Sequence, residues 1–461
     1  MAVALCIPIT FGMAPTMGMS LLMGLYIGGT SGGLISAILI NIPGTPSSVA
    51  TTWDGHPMAL RGEAGKALGA GVFFSFIGTL LSIIVLIFIA PPLADFALQF
   101  GPTEYFALAL FSLTMIGTLA GKQLAKGIAV GLLGMVLAFI GIAPIDAFPR
   151  FTFGIPDLDG GFDILPALIG LFAVSEILAV AEMDTELKKE NVLTNFKMKG
   201  FGFSVKEFFE QFWNMFRSAL IGIGIGILPG IGGGTSNIVA YAVAKSQSKH
   251  PEKFGTGIID GVVASETSNN ATIGGAIVPL LTLGIPGDTV TAMILGGLMI
   301  HGLTPGPLLF INNADVVYGI FVSLMIANIV MLVMEFFGIR VFAKLLRVPK
   351  HILLPVIFAL CVVGAYGLNN RVFDIWVVLF FGVLGYVLHK LEYPTSPIIL
   401  GIILGPMAET GFRRGLQMND GNFFTFFSRP ITVVFIAATA FMIIFTAFRN
   451  AKNKRNQAAS V

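Results

Sequence analysis

Long apolar runs with almost no charge recur along the whole chain, at residues 73–90, 105–120, 128–142, 321–337, 352–366, 376–388 and 431–448. A helix needs about 20 apolar residues to cross the hydrocarbon of a bilayer, and each run extends into weakly polar flanks. The runs are continuous and not alternating, which argues against a β-barrel. The pattern predicts an all-α polytopic membrane protein with about 10–12 transmembrane segments. Two further apolar runs are interrupted. "NIPGTPSS", residues 41–48, ends the uncharged run 33–40 with two prolines and a glycine, and "GIPGDTVT", residues 284–291, repeats the interruption far downstream.

The polar stretches divide the chain. Residues 1–181 read as a first transmembrane repeat and 182–217 as a charged connector. Residues 218–448 read as a second repeat, and 449–461 as a basic tail. The connector holds "KEFFEQFWNMF", residues 206–216, which fits either an amphipathic interfacial helix or the start of the next spanning helix. Residues 17–42 read as a broken segment carrying "GGTSGG", and 51–66 as a polar connection. The halves align weakly but repeatedly. "SGG" before "NIPG" matches "IGG" before "GIPG", Pro102 and Gly117 keep the separation of Pro349 and Gly364, and "LPALIG" matches "SPIILG". Paired Gly/Pro interruptions at equivalent places in two halves point to the binding site of a secondary transporter. An odd number of spans between the copies would invert them.

An unpaired backbone amide or carbonyl in hydrocarbon costs several kcal/mol, so broken helices survive there only against protein or a water-filled cavity. The residues after each break are good helix starters: Thr45, Pro46, Ser47 and Ser48 in the first, Asp288 and Thr289 in the second. Such starts turn amides and a positive dipole end toward the break, where a carboxylate fits. Helix ends at the breaks offer carbonyls to a cation such as sodium. Both stretches also read as ordinary turns outside the membrane; their duplication in similar company disfavours that.

"ASETSNNATIGG" sets Glu266, Ser268, Asn269, Asn270 and Thr272 among Ala, Ile and Gly. Ionisable groups in such surroundings usually face a pathway. The competing reading is a water-exposed loop. "PGIGGGTSN", residues 229–237, lacks the Lys-Ser/Thr of a phosphate loop, so its glycines read as a close helix approach or another break. Asp54 and Asp260, each in "DG", read as turn or cap residues.

Composition narrows the class. Of 461 residues 55% are hydrophobic and 11% charged, with a mean hydropathy of +0.87, so lipid must serve as solvent for much of the surface. A net charge of +2 gives no reason to expect nucleic acid. Cys6 and Cys361 sit in apolar segments and the five histidines show no ligand spacing, so neither a disulfide nor a metal site is expected. No basic region precedes the first apolar stretch, which argues against a cleavable signal peptide. By the positive-inside rule, Arg449, Lys452, Lys454 and Arg455 place the tail in the cytoplasm, while Lys188, Lys189, Lys197 and Lys199 are offset by acids.

At "GGLISAILINIPGTPSSVATTWDGHPMALRGEAGKALG" and at residues 226–288, "GILPGIGGGTSN" through "LTLGIPGD", the sequence resembles the large membrane subunit of the tripartite tricarboxylate transporter family. The resemblance runs through essentially the whole chain. It implies a multi-pass secondary transporter of the bacterial inner membrane that imports di- or tricarboxylates. Its implied partners are a small four-helix membrane subunit and a periplasmic solute-binding protein, and its coupling is to sodium or protons with no cofactor. Substrate contacts carried over by the resemblance are Asn41, Pro43, Gly44, Thr45, Ser47 and Ser48, with Ser268, Asn269, Asn270, Pro286 and Gly287. Glu266 and Asp288 are the candidates for ion coupling. Chains of this kind usually begin with one more spanning segment, so the first repeat is expected to be truncated at its N-terminus. An elevator motion would slide the break motifs past scaffold helices such as 73–90 and 321–337.

A carboxylate symporter that works alone is the main alternative, separated by whether uptake needs a binding protein. An intramembrane protease fits less well. "IPGD" has Ile285 where such a motif requires glycine, and no histidine lies near the serines to activate them. No catalytic residue is expected.

Overall fold

The apolar runs become helices, because in lipid only a helix satisfies its backbone within one segment. The computed structural model describes residues 2–119, 124–182, 200–345 and 350–458. In chain order the first half gives α1 (Ala2–Thr10), α2 (Pro15–Ile40), α3 (Val49–Met58), α4 (Ala64–Ala97), α5 (Pro102–Leu119) and α6 (Leu124–Ala138). A small hairpin of β1 (Gly141–Ile142) and β2 (Pro149–Arg150) leads to α7 (Ile164–Leu168) and α8 (Ser175–Glu182). A wide turn at residues 169–174 joins α7 and α8 into one rod. The second half gives α9 (Val205–Ile227), α10 (Gly232–Gln247), α11 (Ile259–Leu283), α12 (Thr289–Ile300) and α13 (Pro307–Asn312). It continues with α14 (Ala314–Leu345), α15 (Lys350–Asn369), α16 (Val372–Lys390), α17 (Ser396–Gln417) and α18 (Pro430–Ala458).

Among the described residues, six helical segments are long and apolar enough to cross a membrane, and three shorter apolar helices accompany them. The all-α polytopic architecture is therefore as the apolar pattern predicts. The connector lysines Lys188, Lys189, Lys197 and Lys199, and Pro349, lie outside the described residues. The side chains of Arg449, Lys452, Lys454 and Arg455 do too.

The chain forms two compact units. One gathers the described residues of Ala2–Asp95 and Met183–Ala359, the other those of Phe96–Glu182 and Leu360–Val461. Each half of the sequence thus gives its first part to one unit and its second part to the other.

In the second unit, α17 packs against α5 and α6, and α16 against the α7–α8 rod. These approaches are close: a methyl group added to Gly134 would lie 2.0 Å from Ile398 O, and one on Gly170 would lie 2.6 Å from Val378 O. Asp146 in the loop before β2 pairs with Arg413 at 2.8 Å, which holds its carboxyl below the ordinary carboxylate range.

The first unit is organised around α11, whose residues 261–282 are all buried. It lies against α9, α10, α3 and α4. Glycines bring those neighbours to backbone distance. A methyl on Gly78 of α4 would lie 2.3 Å from Thr267 O, and on Gly222 of α9, 2.2 Å from Ser268 O. Small residues of this kind let membrane helices meet where the hydrophobic effect gives no drive.

Several elements differ from their expected form. α2 runs unbroken through "GGTSGG" to Asn41, since glycines inside a helix are tolerated where tertiary packing holds it. The run 206–216 opens the longer helix α9, with Ser204 accepting from Glu207 N–H and Glu207 accepting from Ser204 N–H. The polar stretch 51–66 is α3 and a kink at Ala59–Glu63, where Gly62 takes φ +84°. Its polar residues divide: Thr51, Thr52 and Asp54 are buried, while Arg61 and Glu63 are exposed. Asp54, fully buried, accepts hydrogen bonds from the amides of Gly255, Gly257 and Ile258 and from Tyr241 Oη at 2.7–3.0 Å. Asp54→Ala leaves these donors unpaired and lowers stability by about 3–5 kcal/mol, measurable as denaturation of purified protein in detergent.

The expected scaffold helices 73–90 and 321–337 belong to α4 and α14, in the same unit as the break motifs. α4 carries hydrogen-bond partners of α11, and α14 packs along α2, so neither is separate from the breaks.

Candidate functional site

Both breaks begin with the same device. α2 ends at Asn41 with φ +55°, and α11 ends at Gly284 with φ +72°. Asparagine and glycine are the residues that enter this left-handed conformation at least cost, which explains their matched positions. The turns that follow close the helix ends. Asn41 and Ile42 N–H both reach Ser36 O, while Gly284 and Ile285 N–H reach Leu280 O and Pro279 O. The carbonyls expected to stand bare are thus largely occupied.

The helix starts are capped as their residue types suggest. Asp288 Oδ1 accepts from Thr291 N–H at 2.7 Å and Thr291 Oγ1 accepts from Asp288 N–H at 2.8 Å, a reciprocal cap. Tyr26 of α2 donates to the other oxygen of Asp288. In the first break Ser48 Oγ accepts from Thr45 N–H at 3.2 Å. The start of α10 is open: Ile231 supplies no cap and Gly232–Gly233–Gly234 lead into the first turn. These three glycines touch both breaks. A methyl on Gly232 would lie 2.7 Å from Asp288 Cβ; on Gly233, 2.7 Å from Ser47 Oγ and 2.8 Å from Asn269 Oδ1; on Gly234, 3.5 Å from Pro46 O. The "PGIGGGTSN" motif is therefore a third break, and it joins the other two.

Successive residues of α11 point different ways, as a rotation of 3.6 residues per turn requires. Ser268 donates to Ser236 O of α10 at 3.1 Å. Asn270 donates to Ser75 Oγ of α4 at 2.8 Å and accepts from Thr79. Glu266 accepts from Thr51 of α3 and, at 3.0 Å, from Ser75. Asn269, between them, is fully buried; its amide acts on the Glu266 carboxylate across the helix turn but makes no close hydrogen bond to it or to any other described residue. Asn237 of α10 donates to Ser47 O, but its Oδ1 is also buried without a partner, and so is Thr45 Oγ1. Buried polar groups are nearly always paired, so unpaired ones gathered in one place mark a ligand site.

The structure thus brings Ser47, Asn269 and Asp288 around the start of α10, with Gly287 next to Asp288 in the chain, while the Thr45 hydroxyl lies against Gly33 of α2. Gly287 fits so tightly that a methyl there would lie 2.4 Å from Gly226 O. Pro286 is buried beside it. Ser48, Ser268, Asn270 and Glu266 lie in the surrounding shell with their hydrogen bonds spent on neighbouring helices. Asn41, Pro43 and Gly44 are exposed and are not drawn into the cluster. The water-exposed-loop reading of "ASETSNNATIGG" is excluded by the burial of α11. The glycines make the close approach their motif suggests, whereas Asn237 and Tyr26 are not among the expected site residues. No lysine or arginine forms an ion pair with Glu266 or Asp288 among the described residues.

A family model for the tripartite tricarboxylate transporter TctA family matches residues 1–400. The chain belongs to this family. It is the large membrane subunit of a tripartite transporter, a multi-pass protein that works with the other components of that system, and not an enzyme. A relative in Agrobacterium vitis is 33% identical over 457 residues, covering 99% of this chain and 90% of its own. It is described as an uncharacterized 52.8 kDa protein in the TAR-I ttuC' 3' region. A second Agrobacterium vitis protein, from the TAR-II ttuC' 3' region, is 34% identical over 233 residues, half of this chain and 96% of its own. No solved structure matches the chain.

Proposed function

We propose that this TctA-family subunit is the permease of a binding-protein-dependent importer of di- or tricarboxylates in the bacterial inner membrane. A periplasmic solute-binding protein delivers the substrate, and a small four-helix subunit completes the membrane part. The reading is carried by one observation: the unpartnered amide of Asn269 is buried where both breaks meet the uncapped start of α10. A carboxylate there receives the amides of the first turn of α10, the Asn269 amide and the Ser47 hydroxyl. Backbone and amide donors replace the arginine that soluble carboxylate sites often use. The site takes an anion without an ion pair.

The import is driven by a sodium or proton gradient. The unshared oxygens of Asn269 and Asn237 offer hard acceptors to a cation that enters with the anion, and Glu266 and Asp288 are the carboxylates at hand for a proton. Alternating access then moves the break-bearing unit as one body, an elevator in which α4 and α14 travel with the site. The like order of elements around the two breaks supports an internal repeat.

The test is uptake into proteoliposomes by the complete three-component system, over a panel of di- and tricarboxylates with and without an ion gradient. Accumulation that needs both the binding protein and the gradient is expected. Equal uptake without the binding protein would favour the symporter that works alone, and no carboxylate uptake at all would overturn the proposal.

A further inference from the structure

Glu335 takes no part in the cluster around Asn269. It sits in α14 inside the apolar run 321–337, and only 4% of it is exposed. Ser31 of α2 donates to its Oε2 at 2.8 Å, while Oε1 has no hydrogen-bond partner among the described residues. The side chain lines a cavity of about 290 Å³ walled by Gly28, Gly32, Ile35, Met331, Met334 and Phe342. Gly28 and Met334 are exposed, so the cavity opens on the side of the unit. Polar groups at this depth are costly and usually functional.

Among the described residues Glu335 has no counter-ion; Arg340 and Lys344 of its own helix have side chains outside them. α2 carries one titratable side chain, Tyr26, which is engaged with Asp288. α13 carries none. α4, held to α14 through Asn328 Nδ2 donating to Phe76 O, has Lys66 paired with Glu207 and Asp95 at its far end. Asp315 lies at the start of α14. The titratable group that acts on Glu335 is Glu266, another buried acid. Two buried carboxylates in mutual range, with no lysine or arginine paired to either among the described residues, call for a proton or a cation. Among the residues lining the cavity, Glu335 is the one whose side chain carries an oxygen, and with Ser31 Oγ it supplies fewer side-chain ligands than a hard cation takes. A proton needs only the free Oε1.

We propose that Glu335 is a proton-binding site, separate from the solute chamber and loaded through the lateral cavity. The proton enters on Oε1, the carboxylate becomes the neutral acid, and Ser31 stays bonded to Oε2. This deepens the transport reading only in giving the proton a use, and its test needs no transport.

An apolar carbodiimide reacts with carboxylic acids and not with carboxylates, taking up the acid proton as its carbon bonds the carboxyl oxygen. Full-length protein in lipid vesicles is treated with dicyclohexylcarbodiimide across a pH series, and modified peptides are quantified by mass spectrometry. Modification at Glu335 is expected at acidic pH and to fall about tenfold per pH unit above the midpoint of its titration. Glu335→Gln removes it, and Ser31→Ala, which keeps the acid and the cavity, retains it. No modification of Glu335 at any pH, while exposed acids of the same sample react, would overturn the proposal. Modification unchanged across the whole series would overturn it too, because the acid would then be permanently neutral.

Discussion

Replacing Asn269 with leucine abolishes carboxylate uptake and leaves the fold at least as stable as before. Most buried asparagines hold a structure together, and their loss costs the hydrogen bonds they made. Asn269 makes no close one, so leucine of similar volume loses only the amide's long contact with the Glu266 carboxylate and removes the penalty of a buried, poorly paired amide. That penalty is about 1–3 kcal/mol, and the variant is expected to gain up to this amount. Uptake should fall by at least about 100-fold, because the bound carboxylate would lose the Asn269 N–H donor, and its accompanying cation the Asn269 oxygen, in a closed, low-dielectric site. Transport assays and detergent-solubilised thermal unfolding on one preparation separate the two effects. A variant that transports normally would remove Asn269 from the site, and one that unfolds early would make it a structural residue.

The opposite pattern is expected for Gly78→Leu. A side chain at this position must enter α11, where Thr267 O already stands 2.3 Å from the place of a first carbon. The neighbour is backbone in the middle of a buried helix, so nothing can rotate away. The α4–α11 crossing would have to open, breaking the bonds from Ser75 to Glu266 and from Asn270 to Ser75. A loss of more than about 3 kcal/mol is expected, beyond ordinary overpacking because the clash is with main chain. The variant should fail to accumulate in the membrane in folded form, as seen by size-exclusion profile after mild solubilisation. Normal accumulation would mean that the two helices are not held at this distance.

The helical architecture was legible because lipid imposes one rule on every apolar run, and runs such as 73–90 and 431–448 obey it without tertiary help. The breaks were legible for the same reason, since proline and glycine interrupt a helix locally. What could not be read was which polar residues share a direction. "SETSNN" looks uniform on the page, yet rotation along α11 sends Ser268 to α10, Asn270 to α4 and Asn269 to neither. Nor could the sequence show that α10 brings its glycines against both breaks, a relation between segments far apart in the chain. Thr51 and Asp54 read as part of a polar connection because inward-facing polar groups and solvent-facing ones have the same composition. Glu335 did carry a signal, a lone carboxylate in an apolar run, and the length of that run hid it.

The central claim is that two interrupted helices and the start of α10 enclose one site for a carboxylate. Ser47, half-buried between Gly233 and Asn269, reports on it directly when changed to cysteine in a chain whose Cys6 and Cys361 are replaced by alanine. The rate of maleimide reaction at position 47 is then measured in the assembled transporter with and without a transported di- or tricarboxylate. Protection of about tenfold at tenfold excess over the dissociation constant, and none from a neutral polyol of the same size, is the predicted result. An unchanged rate in a preparation that still transports would contradict the account.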